Sequence, residues 1–290
     1  MPSTNTPSLR RLGVCSWSLR PKSATDLASA VKACGVGGVQ LHLDPLREGD
    51  WSLASTREEL ARADISILSG MMSMQGEDYS TLESIARTGG VRPDSTWHAN
   101  FKAAERNATI AKELGLSLVT FHAGFLPHGG THEEQAERAR MIERLRQLAE
   151  VFGSRGVRVA LETGQEKADT LLGVLRDVNA GLGDARRVGV NFDPANMILY
   201  GMGDPIAALR ALRVHVVQVH IKDAVATTTP GTWGDEVPVG AGQVDWKAFF
   251  GVLGEGEACD GVIEREAGEA RVDDVRTARD LVAGFMGRGG

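Results

Sequence analysis

Residues 188–223 read VGVNFDPANMILYGMGDPIAALRALRVHVVQVHIKD. Two short apolar, β-branched runs, Val188–Phe192 and Val216–Ile221, stand at its ends with a longer helical stretch between them. That order is a βα unit followed by the next strand of a parallel sheet. A polar group interrupts each run where it ends: Asp193 closes GVNFD and His220 closes VVQVH.

The same rhythm continues in both directions. Strands are expected near Leu12–Trp17, Gly38–Leu43, Ile65–Met71, Leu118–His122, Arg158–Glu162, Val188–Phe192, Val216–Ile221 and Gly261–Glu264. Eight βα units predict an α/β fold, a single parallel (β/α)₈ TIM barrel. The intervening stretches space apolar residues three and four apart, as in Leu27, Ala30, Val31 and Cys34, or Met141, Leu145, Leu148 and Phe152. Ser23, Thr25 and Thr131 supply N-terminal caps, and Gly153 or Gly156 a stop. Met72–Ser95 and Asp223–Val244 are longer than ordinary connections, and both would lie on the catalytic side of a barrel.

Barrels of this type run to ~250 residues as one domain, so the 290 residues call for no split. Residues 1–10, rich in Ser, Thr and Pro, read as a disordered tail without a signal peptide, and 11–290 as the barrel. No stretch reaches the ~20 apolar residues of a membrane span, which makes a cytoplasmic location the expectation. Net charge is −6, with 38 acidic against 32 basic residues, and opposes a nucleic-acid partner. Cys15, Cys34 and Cys259 form no CxxC pair and read as free thiols.

Four strand ends carry the chemistry: Glu162 ends VALE, Asp193 GVNFD, His220 VVQVH and Glu264 GVIE. Their successive separations are 31, 27 and 44 residues, each near one βα unit with the last lengthened by its loop. In a barrel they face one mouth, where active sites of this fold are built. Any one glutamate at a strand end is more often a loop residue or a helix cap, but that reading must hold four times at equivalent places. Three carboxylates beside one imidazole repel in a dry pocket unless a divalent cation neutralises them. An oxygen-rich set with one nitrogen suits Mn²⁺, Mg²⁺ or Co²⁺, and Zn²⁺ remains compatible.

Residues two apart on a strand share a face. Asn191, Gln218, Lys222, Glu266, Gln40, His42, Thr120, His122, Cys15 and Trp17 therefore become candidates for contact with substrate. Lys222 could instead pair with Asp223, and Glu266 with Arg265 or Arg271. His42 and His122 could serve as structural histidines. Trp17 and Trp233 suit apolar walls for a sugar face, although aromatic residues fill cores more often.

The ordered set LETG, NFDPAN, VHIKD, GTWGDEVPVGAGQVDW and VIEREAG resembles the sugar phosphate isomerase/epimerase family of xylose isomerase-like barrels, over nearly the whole chain after the tail. The His-Ile-Lys-Asp run and Gly240–Trp246 are its most specific parts. The resemblance implies a metal held by Glu162, Asp193, His220 and Glu264, and adds Asn196 of NFDPAN to the substrate contacts. It also implies a mechanism in which the metal binds a ketose carbonyl and adjacent hydroxyl. Glu162 and Glu264 then exchange a proton through a metal-stabilised enediolate, giving epimerisation, or isomerisation if one carrier shuttles the proton. The chain departs from the family's name in lacking a clear phosphate cradle of clustered Gly and basic residues.

Related barrels include lyases and dehydratases on keto-sugar or inositol-like substrates, which fold and metal do not separate. An apurinic endonuclease-like hydrolase would use a multi-metal, histidine-rich site and a basic surface, against which stand seven histidines and the acidic balance. A non-catalytic sugar-binding barrel is opposed by the intact Glu162 and Glu264. A homo-oligomer is compatible with the sequence, but nothing in it identifies an interface.

Overall fold

Strands covered on both faces are made almost wholly of buried residues, and here those strands close on themselves. The computed structural model describes residues 9–128 and 130–286. The first half comprises β1 (Leu9–Cys15), α1 (Ala24–Cys34), β2 (Gly38–His42), α2 (Asp44–Glu48), α3 (Leu53–Arg62), β3 (Ser66–Met71), α4 (Leu82–Thr88), α5 (Asp94–Glu113), β4 (Leu118–Phe121) and α6 (His132–Gly153). The second half comprises β5 (Arg158–Glu162), α7 (Ala168–Asn179), β6 (Gly189–Phe192), α8 (Pro194–Leu199), α9 (Pro205–Leu212), β7 (Val216–Ile221), β8 (Asp223–Val225), β9 (Asp235–Val237), α10 (Trp246–Leu253), β10 (Cys259–Ile263) and α11 (Arg271–Met286). The sheet order β1-β10-β7-β6-β5-β4-β3-β2 is a closed, all-parallel eight-stranded barrel, as expected.

Of the tail expected over 1–10, residues 1–8 lie outside the described residues. Leu9 and Arg10 belong to β1, where Leu9 is buried and pairs with Cys259. Trp17 lies past the strand in a 3-10 turn, Ser16–Leu19. Ser23 caps α1, and Thr131 with Glu134 forms a reciprocal capping box on α6. The two long segments are not bare loops. Met72–Ser95 holds α4, capped by Thr81, and Asp223–Val244 holds the antiparallel β8–β9 hairpin.

That hairpin is anchored by a buried carboxylate. Asp223 Oδ1 accepts from Ala224 N (3.0 Å) and Val244 N (3.1 Å), and Oδ2 from Gly240 N (2.9 Å) and Trp246 Nε1 (3.0 Å). Gly242 is required here, because a Cβ on it would lie 2.1 Å from Asp223 Oδ1. The Gly-rich run therefore gives two of its amides, Gly240 and Val244, to an internal carboxylate, and those of Ala241 and Gln243 to the backbone oxygens of Pro238 and Ala224. At the far side of the hairpin, Glu236 takes Arg265 Nη1 (2.7 Å), Glu266 N (2.9 Å) and Ala267 N (3.2 Å), joining it to the segment after β10. Among the described residues no helix is long and apolar enough to cross a membrane, and all three cysteines are buried and free.

Candidate metal centre and active site

Glu162, Asp193, His220 and Glu264 do converge, all buried, with one ligand atom from each lying within 4.8 Å of the others. His220 Nδ1 is the hub, 3.4 Å from Glu162 Oε1, 3.5 Å from Asp193 Oδ2 and 3.4 Å from Glu264 Oε2.

Local sequence explains how each side chain is aimed. In DPAN, Asp193 is the N-cap of α8 and Pro194 its first residue. Asp193 Oδ1 accepts from Ala195 N (2.8 Å) and Asn196 N (3.0 Å), which leaves Oδ2 turned toward His220. Gly164 lacks a Cβ that would lie 2.3 Å from Asn196 Cβ, and so lets Asn196 reach Glu162 Oε1 with its amide (2.9 Å).

His220 is oriented from below. Its Nε2 lies 2.8 Å from Gln40 Oε1, a pure acceptor, and 3.0 Å from the Asn191 amide nitrogen. The Gln40 contact assigns a ring proton to Nε2, so Nδ1 is the nitrogen that faces the carboxylates and is the one available to an ion. Gln40 donates in turn to Thr120 Oγ1 (2.8 Å), while Ser69 donates to Gln218 Oε1 (2.6 Å) and Gln218 to Asn191 Oδ1 (3.2 Å). The expectation that Gln40, Thr120, Asn191, Gln218 and Cys15 touch substrate is thus corrected. They are fully buried beneath the ligands, where polar side chains can satisfy one another, and they form the supporting layer.

The donor set fits a divalent cation. Asp193 Oδ2 and His220 Nδ1 are buried without any hydrogen-bond partner, and such orphaned atoms are costly unless something satisfies them. Three carboxylates and one imidazole nitrogen are ligands that Mg²⁺, Mn²⁺, Co²⁺ or Zn²⁺ accepts. Without an ion, burial pushes the Asp193 pKa up. Burial opposes ionisation of Glu264 too, but Lys222 and His220 override it and hold its pKa well below the ordinary value. For Glu162, burial is likewise overcome, by His122 and His220.

Above this floor lies a cavity of about 570 Å³. It is lined by the other seven residues expected to contact substrate: Trp17, His42, His122, Asn196, Lys222, Trp233 and Glu266. Several hold different partners from those expected. Trp17 is a hydrogen-bond donor as well as a wall, its Nε1 lying 2.8 Å from Glu264 Oε1. Lys222 pairs with Glu264 Oε2 (2.8 Å) and Glu266 Oε2 (2.6 Å), not with Asp223, which is engaged by the hairpin. The Glu266 carboxylate accordingly pairs with Lys222, while its backbone oxygen accepts from Arg271 Nη2. His122 Nε2 is 3.5 Å from Glu162 Oε1, and His42 Nε2 is 3.2 Å from both Asp44 Oδ2 and Ser73 Oγ. Glu77, Tyr79, Leu199 and Tyr200 also line the cavity and were not singled out from sequence. Glu77 and Tyr79 belong to the long Met72–Ser95 segment, and Tyr200 directly follows α8.

A closed parallel barrel with a buried carboxylate–imidazole cluster at the C-terminal ends of its strands, able to hold a metal ion, places the chain among the TIM barrels. The chain belongs to the xylose isomerase-like TIM barrel family, whose model matches residues 28–282. No curated protein is significantly similar in sequence. Among solved structures, a xylose isomerase domain protein from Planctomyces limnophilus is 30% identical, with 89% of each chain covered and a TM-score of 0.75. An L-ribulose 3-epimerase is 16% identical, covering 96% of this chain and 95% of its own, at a TM-score of 0.71. A xylose isomerase-like TIM barrel protein from Mycobacterium smegmatis in complex with magnesium is 16% identical over 99% of each chain, at 0.69. The latter two likenesses concern the fold alone.

Proposed function

We propose that the protein is a divalent-metal-dependent isomerase or epimerase acting on a ketose or related sugar. The observation that carries the reading is the pair of orphaned atoms, Asp193 Oδ2 and His220 Nδ1, enclosed by two glutamates that open into the same cavity. Glu162, Asp193, His220 and Glu264 would hold the ion. Once bound, a divalent ion neutralises the carboxylates and draws electron density from a neighbouring carbonyl.

The chain's own residues do the rest. Glu162 and Glu264 come from β5 and the end of β10, with β6 and β7 between those strands in the barrel wall, so they approach the floor from separate sides. One carboxylate takes the proton from a carbon beside the carbonyl, whose electron pair moves toward the carbonyl oxygen. The other returns a proton to the opposite face, inverting that carbon. Trp17 and Lys222 hold Glu264, and Asn196 holds Glu162, so each carboxylate meets the substrate in a fixed orientation. The likeness to an L-ribulose 3-epimerase and a D-allulose 3-epimerase supports a sugar as substrate.

Solvent deuterium incorporation into ketoses, followed by NMR on the metal-loaded protein, tests this. Glu162→Gln and Glu264→Gln are each expected to reduce exchange by about 10²–10⁴-fold. Exchange undiminished in both variants would remove the acid/base pair.

A further inference from the structure

The cavity has more room and more apolar wall than a bare monosaccharide fills, and its lining is acidic. Six hydroxylated carbons, each near the ~30 Å³ share of a liquid water molecule, come to roughly 180 Å³. The cavity's 570 Å³ is about three times that. The ligand cluster forms its floor, with Glu162 and Glu264 no more than 5% exposed. Its outer part is aromatic: Tyr200 and Trp233 meet edge to face at 4.8 Å between ring centres, and Tyr79 is 46% exposed at the rim. The Tyr200 hydroxyl is engaged by Gln165 Nε2 at 3.3 Å, which fixes the ring.

Charge narrows the choice further. Even with a divalent ion set against Glu162, Asp193 and Glu264, Glu77 and Glu266 add two further carboxylates to the lining against one ammonium, Lys222, which is already paired with Glu264 and Glu266. No arginine lines it, and the nearby Gly-rich run has committed the Gly240 and Val244 amides to Asp223. A phosphate or carboxylate group would meet net negative charge with no free donor cluster.

We infer that the cavity takes a neutral glycoside, with the sugar over the ligand floor and an aromatic or similarly flat apolar aglycone against Tyr200 and Trp233. Flat apolar groups pack well on aromatic rings set edge to face, and the partly open rim leaves room for an aglycone to extend outward. The inference rests on reading the floor as a metal-dependent sugar site.

Calorimetric titration of the metal-loaded protein with phenyl β-D-glucopyranoside, methyl β-D-glucopyranoside and glucose 6-phosphate tests it without turnover. The phenyl glucoside is expected to bind roughly tenfold tighter than the methyl glucoside, and the phosphate ester weakest. Trp233→Ala should shrink the phenyl preference and Trp233→Phe should keep most of it, with circular dichroism checking that both variants fold. Equal binding of the two glucosides, tightest binding of the phosphate ester, or no heat from any of the three at millimolar concentration overturns the inference. The wild-type ratio decides even if a variant misfolds. Deuterium exchange is read separately. Exchange into ketoses without a phenyl preference sinks the ligand class and leaves the activity. A phenyl preference without exchange does the reverse.

Discussion

Asp193 Oδ2 and His220 Nδ1 lie 3.5 Å apart, both buried and both without a hydrogen-bond partner. A divalent cation between them would satisfy both at once. Wild-type protein should bind about one divalent ion per chain, and Asp193→Ala should abolish stoichiometric binding, as read by elemental analysis. At ~100 times the dissociation constant, an ion adds about 2.7 kcal/mol, equivalent to a rise in melting temperature of roughly 5 °C. A melting curve unmoved by Mn²⁺, Mg²⁺, Co²⁺ and Zn²⁺ would count against the site.

Trp17 and Lys222 address the two oxygens of Glu264 separately. A hydrogen bond to a charged group contributes about 1.5–3 kcal/mol, so Trp17→Phe should lower kcat roughly tenfold or more while KM changes little. Lys222→Met removes the shared cation from Glu264 and Glu266, and should destabilise the fold by ~3–5 kcal/mol. Chemical denaturation separates the two effects: a Trp17→Phe variant as unstable as Lys222→Met would make the indole a structural group only.

Glu166, buried with no charged partner to offset burial, has its pKa raised from the ordinary 4.5 to about 8. Between those values the folded protein keeps a proton that the unfolded chain releases. The stability contribution is therefore full below pH 4.5 and is lost as pH rises to about 8. Glu166→Gln should flatten that part of the stability profile and be the more stable protein at its alkaline end, by a margin on the order of a few kcal/mol. Parallel urea melts across the window read the difference. Identical profiles would mean that the carboxyl ionises freely.

Gly242→Ala places a methyl group into Asp223, whereas Gly251→Ala, in α10 with open space around it, adds only helix propensity. The first should lower the melting temperature by roughly 5–10 °C. The second should leave it unchanged or raise it slightly. Equal effects would dissolve the argument for a carboxylate-anchored hairpin.

The barrel and its four converging side chains were legible because a strand end is defined by hydrophobic pattern, and closure of the barrel brings the ends together. Hydrogen-bond direction was not legible. Nothing in sequence spacing shows that the Trp17 indole turns its N–H onto Glu264, or that Lys222 turns from Asp223 to Glu266. Strand alternation placed Gln40 and Asn191 inward but gave no depth, and depth separates a support for His220 from a contact with substrate. Length alone marked Met72–Ser95 as notable, yet Thr81 ahead of Leu82 was an available cap signal for α4, and Glu77 and Tyr79 beside it reach the cavity. Tyr200 carried no motif of its own.

The β8–β9 hairpin is fastened at its base by Asp223 and at its far side by Glu236, while the turn between its strands carries Trp233 over the cavity. Such a turn is a module. Its residues can be exchanged without disturbing the fastenings that keep the barrel's rim in shape, so a scaffold of this kind has a short mutational route from one substrate preference to another. A library confined to residues 227–230, 232 and 233, sparing Gly231 at φ 79° and Gly234, whose Cβ would lie 2.6 Å from Val225 O, would explore that route while every group on the floor stays in place.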